Sequence, residues 1–432
     1  MEFSLWKNIF IALIAGVVCL AGISLTMENK NYFSGHVVAD PGSKSDTAVI
    51  NNTASQVSLP PAPPPPPEKL SNPPAIIKSV YITGYSAGSK KYLNYLSNLF
   101  RNTEINAVVV DVKGSGGYVS YASSAPDVKK YSLTDHEIPD IDTLVRFFHD
   151  QNIYVIGRIA VFEDPVYSKV KPNLAVYDKA KTTDLSNPVL WEDNNGLSWM
   201  DPASKDVWDY NISLAKDAFY NGFDEVNFDY VRFPTDGNRG NMGFPVYDSK
   251  NAKVEVIKSF FQYTRVNLSN EKISADLFGL TTVNPDDMGI GQVIESAMEN
   301  FDYVCPMVYP SHYANGFIGF ANPADHPYDV IKYSLDHALA RENVLLEQET
   351  GKISEAAGSP ASTDQVSEVP VLTPLGKLRP WLQDFNMGAV YTADMVSREI
   401  KATQDSLQNN FVGFMLWNPN NIYTEDAVLK QK

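Results

Sequence analysis

The sequence predicts a (β/α)8 TIM barrel behind a membrane-spanning segment and a Pro-rich linker. Three observations carry this. Eight short apolar runs, each the length of a strand, recur between residues 77 and 418. Amphipathic stretches of helical length separate them, so the chain reads as successive right-handed βα units. No phosphate-cradling glycine fingerprint follows the first run, which disfavours a dinucleotide-binding sheet and favours a closed barrel.

The elements follow in chain order. Residues 1–8 carry Lys7 and the free amine, which favours a cytoplasmic N-terminus. Residues 9–27, "IFIALIAGVVCLAGISLTM", hold no charge. About 19 residues at roughly 1.5 Å each reach roughly 28 Å, close to a bilayer core. A cleaved signal peptide is the rival reading, but "SLTMEN" is a poor cleavage site. The expectation is a single-pass cell-membrane anchor with the rest of the chain extracytoplasmic. Residues 28–75 include "LPPAPPPPPEKLSNPP" and read as a disordered, stiff linker.

Residues 76–432 form the predicted barrel domain. Its strand candidates are 77–85, 105–114, 153–162, 223–233, 272–280, 301–310, 377–385 and 411–418. Helix candidates are 90–101, 140–151, 203–220, 251–268, 290–300, 327–341 and 393–408. Only about a dozen residues follow the last strand, so the eighth helix is short or missing. Residues 351–373 are rich in Ser, Ala and Glu and read as a mobile surface insertion.

Composition narrows the function. The net charge of −16 offers no basic stripe to phosphates, which argues against nucleic acid. The two cysteines, Cys19 and Cys305, allow no disulfide framework within the globular part. The His residues lack ligand spacing, so neither a metal nor a cofactor is expected.

Strand parity then locates chemistry. If Val226, Phe228 and Tyr230 face the helices, Glu225, Asn227 and Asp229 point into the barrel. The fifth run places Ile273, Ala275 and Leu277 outward, with Ser274 and Asp276 inward. Asp111 and Lys113 come late in the second run, and Asp384 ends the seventh. Carboxylates therefore gather at the strand ends where barrel enzymes build active sites. A purely structural alternative makes Asp229 the buried partner of Arg158 or Arg232. Around the mouth, Tyr309, His312 and Trp417 are candidate substrate contacts, with Trp381 and Tyr313 as further rings. Glu163 and Asp164 read as loop caps, Asp286 and Asp287 as helix N-caps, and Asp224 and Asp302 as structural groups at the opposite end.

The series "GFDEVNFDYVRFP", "ISADLFGL", "DDMGIGQVIE", "DYVCPMVYPSHY", "LRPWLQDF" and "GFMLWNPNNIY" resembles the bacterial family catalogued as putative glycosyl hydrolase domain, over residues 77–423. The chitinase pattern is not met, because Val231 stands where the catalytic Glu would. The fourth run is similar to the α-galactosidase type, which implies a nucleophile at Asp229. It also resembles the α-amylase arrangement over Asp229, Asp276 and Asp384, except that Asn227 fills an Arg position and Asp replaces Glu as the acid. The resemblance implies a glycoside hydrolase acting on a poly- or oligosaccharide, held at the membrane by the apolar run at 9–27. Asp229 and Asp276 would be catalytic, with Asp111, Lys113, Arg158, Asn227, Arg232, Tyr309, His312, Asp384 and Trp417 toward the substrate. The alternatives are a transglycosylase, or a non-catalytic glycan-binding or cell-envelope scaffold on the same barrel.

Overall fold

A computed structural model describes residues 65–358 and 375–430. Eight parallel staves close on themselves: β1 (Ile77–Ile82), β2 (Ala107–Lys113), β3 (Tyr154–Ala160), β4 (Glu225–Asp229), β5 (Lys272–Phe278), β6 (Tyr303–Met307), β7 in two segments (Lys377–Leu378 and Trp381–Gln383) and β8 (Gly413–Trp417). Closure runs through β6, which pairs with both segments of β7, and through β8, which pairs with β1.

The helices between the staves are α1 (Lys90–Asn102), α2 (Ile141–His149), α3 (Lys205–Tyr220), α4 (Lys253–Asn267), α5 (Ile294–Met298), α6 (Pro327–Gly358) and α7 (Ala393–Leu407), with short extra ones in loops at Gly84–Ala87, Pro126–Tyr131 and Tyr167–Val170. Their starts are chemically marked. Ser89, Asp140 and Thr392 each accept a backbone N–H from the first turn of α1, α2 and α7. Helix α5 is a short remnant of the predicted 290–300. Helix α6 runs well past the predicted 341 and takes the first residues of the expected insertion; residues 359–374 lie outside the described residues. No α-helix follows β8 among the described residues; one short 3-10 turn closes that stretch.

Two separate apolar clusters show the barrel's two layers. The inner one joins Tyr81, Val109, Ile156, Cys305, Trp381 and Met415. The outer one sets Val108, Val110, Val226, Phe228, Ile273 and Leu277 against the helices. The predicted parity holds in β4 and β5, with two exceptions elsewhere. A register shift between Asp111 and Lys113 turns Lys113 out of the barrel, where its Nζ pairs with Asp164 at 2.6 Å, fully buried. Tyr230 packs against the outer cluster only in part. Its φ of +53° ends β4 and swings its ring to the mouth.

The expected membrane segment at 9–27 and most of the linker lie outside the described residues. No helix among the described residues is long and apolar enough to cross a membrane. Residues 65–75, expected as disordered linker, instead lie on the barrel's N-terminal end. The Leu70 N–H donates to Asp224 Oδ1 at 2.6 Å and its side chain packs on the inner cluster. Pro67 sits against Gly222, whose φ of +86° and missing Cβ permit that approach.

Candidate active site

At the C-terminal end of the staves lies a cavity of about 740 Å3. Strand β4 delivers Asp229 to its floor. The Asp229 Oδ2 accepts from Arg158 Nε at 3.1 Å and Nη2 at 2.5 Å, while Oδ1 accepts the Tyr230 N–H at 2.6 Å. Tyr230 itself adopts the left-handed conformation, which is costly for a bulky residue and recurs at functional sites. Arg158 also donates to Asp111 Oδ1 at 2.6 Å, and Asp111 Oδ2 accepts from the Tyr81 hydroxyl at 2.5 Å. The register places Arg158 beside Asn227. The guanidinium that meets Asp229 thus comes from the neighbouring strand.

Asp276, on β5, also lines the cavity and is almost fully buried. Its Oδ1 accepts from Asn227 Nδ2 at 2.8 Å and Trp381 Nε1 at 2.7 Å, which leaves Oδ2 as the oxygen for a proton. Burial first, and the Asp229 charge second, push its carboxyl well above the usual range; Arg158 and the two donors oppose this. Asn227 and Ser274 face each other in register, so the next inward pair along the strands is Asp229 and Asp276.

One wall is aromatic. Trp417 stacks on Tyr81 with centroids 4.0 Å apart and meets Trp381 edge-on at 5.6 Å. Tyr309 and Phe385 flank the His312 ring, and burial lowers that imidazole to about 4, so it is neutral near pH 7. Asp384 reaches the cavity but is tied to Thr424, from whose N–H and hydroxyl it accepts at 2.8 and 2.6 Å. Burial raises its carboxyl to about 6.

The other wall is acidic. Glu163, Asp193 and Asp236 line it together with Arg232, whose guanidinium lies 4.7 Å from the Trp199 and Phe278 ring centres. Burial pushes the Glu163 carboxyl well above the usual range; Arg232 opposes the shift, and Asp193, Asp229 and Asp236 add to it. Asp193 and Trp199 arrive on the long excursion between β3 and α3, and Asp236 on the loop after β4. Local pattern gives no signal for Asp193 or Asp236. Glu163 is marked only by following the third apolar run.

The predicted site residues therefore divide. Asp229, Asp276, Arg158 and Arg232 line the cavity, as do Tyr309, His312, Asp384 and Trp417. Asp111 and Asn227 sit behind it as hydrogen-bond partners, and Lys113 is sealed in its ion pair outside the barrel. Asp286 and Asp287 cap no helix; they close exposed turns at Met288 and Gly289. Asp224 and Asp302 are structural: Asp224 holds Leu70, Val155 and His149, and Asp302 holds Arg265, Lys272 and Ile273. Among the described residues, no group of acidic, His or Cys side chains is arranged to hold a metal ion.

Residues 79–353 and 358–423 match the family described as putative glycosyl hydrolase domain. None of the curated proteins matches the chain. Among solved structures, a hypothetical protein from Ruminiclostridium thermocellum is 41% identical over 46% of this chain and 96% of its own, with a TM-score of 0.41. The PgaB (BpsB) glycoside hydrolase domain from Bordetella bronchiseptica is 12% identical, with a TM-score of 0.53 over 83% of this chain and 100% of that one. An α-galactosidase from Thermus thermophilus, solved with p-nitrophenyl α-D-galactopyranoside, is 12% identical over 83% of this chain and 61% of its own, with a TM-score of 0.46. At 12% identity, the likeness to the Bordetella domain is one of fold.

Proposed function

Because the chain belongs to the putative glycosyl hydrolase domain family, we propose that it hydrolyses glycosidic bonds, with Asp229 as nucleophile and Asp276 as proton donor. The observation that carries this is the unlike setting of two neighbouring carboxyl groups. Asp229 is paired with a guanidinium, while burial and its neighbour's charge favour the neutral form of Asp276. Such a split assigns base and acid roles.

In this reading Asp276 passes its proton to the glycosidic oxygen as the C1–O bond breaks. Asp229 bonds to C1 and forms a glycosyl ester. Water, deprotonated by the Asp276 carboxylate, then cleaves the ester, which frees Asp229 and reprotonates Asp276. Retaining enzymes hold their two carboxyl groups roughly 5–5.5 Å apart, the separation this mechanism requires of Asp229 and Asp276. Membrane anchoring by a spanning segment at residues 9–27, with the barrel outside the cytoplasm, belongs to the same proposal and rests on the apolar run alone.

The test is a glycan hydrolysis panel run on wild type and Asp229→Asn, with affinity measured beside turnover. The variant keeps side-chain volume and is expected to lose at least about a thousandfold in rate, about 4 kcal/mol of barrier. Products of the wild type should keep their anomeric configuration by proton NMR. Full activity in Asp229→Asn overturns the mechanism. A wild type that binds glycans and hydrolyses none supports the scaffold instead; sugar transfer without hydrolysis supports a transglycosylase.

A further inference from the structure

We propose that the acidic wall of this cavity is a subsite for a protonated amino group on the glycan, centred on Asp236. The proposal rests on the glycosidase reading and names the substrate class. Asp236 is 3% exposed, lines the cavity, and its Oδ2 has no hydrogen-bond partner. A buried carboxylate oxygen left unpaired is expensive unless a ligand completes it.

The surroundings say what kind of ligand. Six carboxyl side chains line the cavity, Glu163, Asp193, Asp229, Asp236, Asp384 and the proton donor Asp276, neutral in this reading, against two guanidinium groups and no lysine. Both guanidinium groups are already committed. Arg158 is shared between Asp111 and Asp229. Arg232 donates to the Phe233 carbonyl and the Thr235 hydroxyl, both at 3.2 Å, and is wedged between rings. An anionic sugar would enter a field of its own sign, whereas a cation is attracted.

A further anion has no place on this wall, but donors do. Asp193 accepts from the Asn195 and Leu197 N–H groups and from Trp199 Nε1, so its carboxylate is fixed in position. No side chain fixes the free Asp236 oxygen. Burial and the neighbouring Asp193 both work against charge on Asp236, and an ammonium group relieves both. The two walls then divide the work. Aromatic rings, Trp417 foremost, take the apolar face of a sugar, and the acidic wall takes a nitrogen substituent. An N-acetyl group offers one N–H and no charge there, so the subsite discriminates free amine from amide.

The experiment is calorimetric titration of the full chain with a glucosamine tetramer, its fully N-acetylated counterpart and a uronic acid tetramer, at about pH 6 and low salt. The free-amine tetramer is expected to bind roughly tenfold tighter than the acetylated one, about 1.4 kcal/mol. Uronic acid should be the weakest. Raising salt should narrow the gap, as for any charge-dominated contact. In Asp236→Asn the preference should fall to less than threefold. Equal or weaker binding of the free amine by wild type overturns the proposal, as does no binding of it at all. So does a preference that survives in a folded Asp236→Asn protein. The salt series and the uronic acid comparison need no variant, so a misfolded Asp236→Asn does not stop the test. Failure of hydrolysis with this preference intact would count against the glycosidase reading alone.

Discussion

At Asp276 opposing forces meet on one carboxyl group. Asn227 and Trp381 donate to it and favour its charge, while burial and Asp229 disfavour it more strongly. As pH rises through this raised value the donor proton is lost, so turnover should fall on the alkaline side. Asp276→Asn should slow substrates with poor leaving groups by at least a hundredfold, and activated aryl glycosides much less. On the latter the alkaline limb should vanish, which a pH–rate profile reads. Persistence of that limb would assign it to another group. Asp384 makes a second, separate prediction. Its folded value of about 6 lies above the roughly 3.9 of an unfolded Asp. The native state therefore binds the proton more tightly, and this contribution is full below about 4 and lost as pH rises through 6. Urea unfolding should show wild type gaining on Asp384→Asn by on the order of 1 kcal/mol between about pH 7.5 and pH 5.

Strand β3 shows how an element depends on one small residue. Gly157 faces the outer layer, and a Cβ there would lie 2.9 Å from both Phe223 and Val112 side chains. Replacing a mid-strand glycine by alanine normally gains roughly 0.5–1 kcal/mol. Here overpacking opposes the gain at typically 1–3 kcal/mol, and it outweighs the backbone term. Gly157→Ala should therefore destabilise the fold in equilibrium denaturation; a more stable variant would mean that the Phe223 ring moves aside freely. The same strand carries Arg158 on its other face, so a shift of β3 should also loosen the pair with Asp229. The bulge in β2 is the counterpart. One inserted position keeps Asp111 in the barrel and sends Lys113 out, so two charges separated only by Val112 serve separate networks.

For the molecule as a whole, the N-terminal end of the barrel is finished by the segment that precedes it. Leu70 covers the inner cluster, Asp224 receives its N–H, and Lys69 lies 4.4 Å from the Phe219 ring centre. Fully burying a Leu stabilises by about 1.5–3 kcal/mol; Leu70 is half-buried and contributes about half of that, and the hydrogen bond adds about 1 kcal/mol. A chain starting at Pro65 should thus exceed one starting at Ile76 by about 2 kcal/mol in urea unfolding. Equal stability would show that residues 65–75 contribute nothing. Directly above this seal, Glu225 and Arg379 form a fully buried ion pair among Tyr154 and Tyr303. From this pair a polar chain runs through the barrel interior, by way of Ser274 and Asn227, to Asp276.

Periodicity was enough to read eight staves, seven intervening helices and the inward direction of Asp229 and Asp276, because alternation along a strand reports which face is buried. It was enough too for the structural roles of Asp224 and Asp302, which begin their strands. Other features depend on which strands become neighbours and in what register. Arg158 reaches Asp229 only because β3 pairs with β4, and Asn227 holds Asp276 only because β4 pairs with β5. Lys113 escaped the alternation through a bulge, and Tyr230 through a positive φ that no residue pattern announces. The acidic wall lies furthest from the local signal. Glu163, Asp193 and Asp236 come from loops without periodicity, so only closure of the barrel assembles them. Local sequence encodes the face an element buries; meetings between distant segments arise from packing the whole chain.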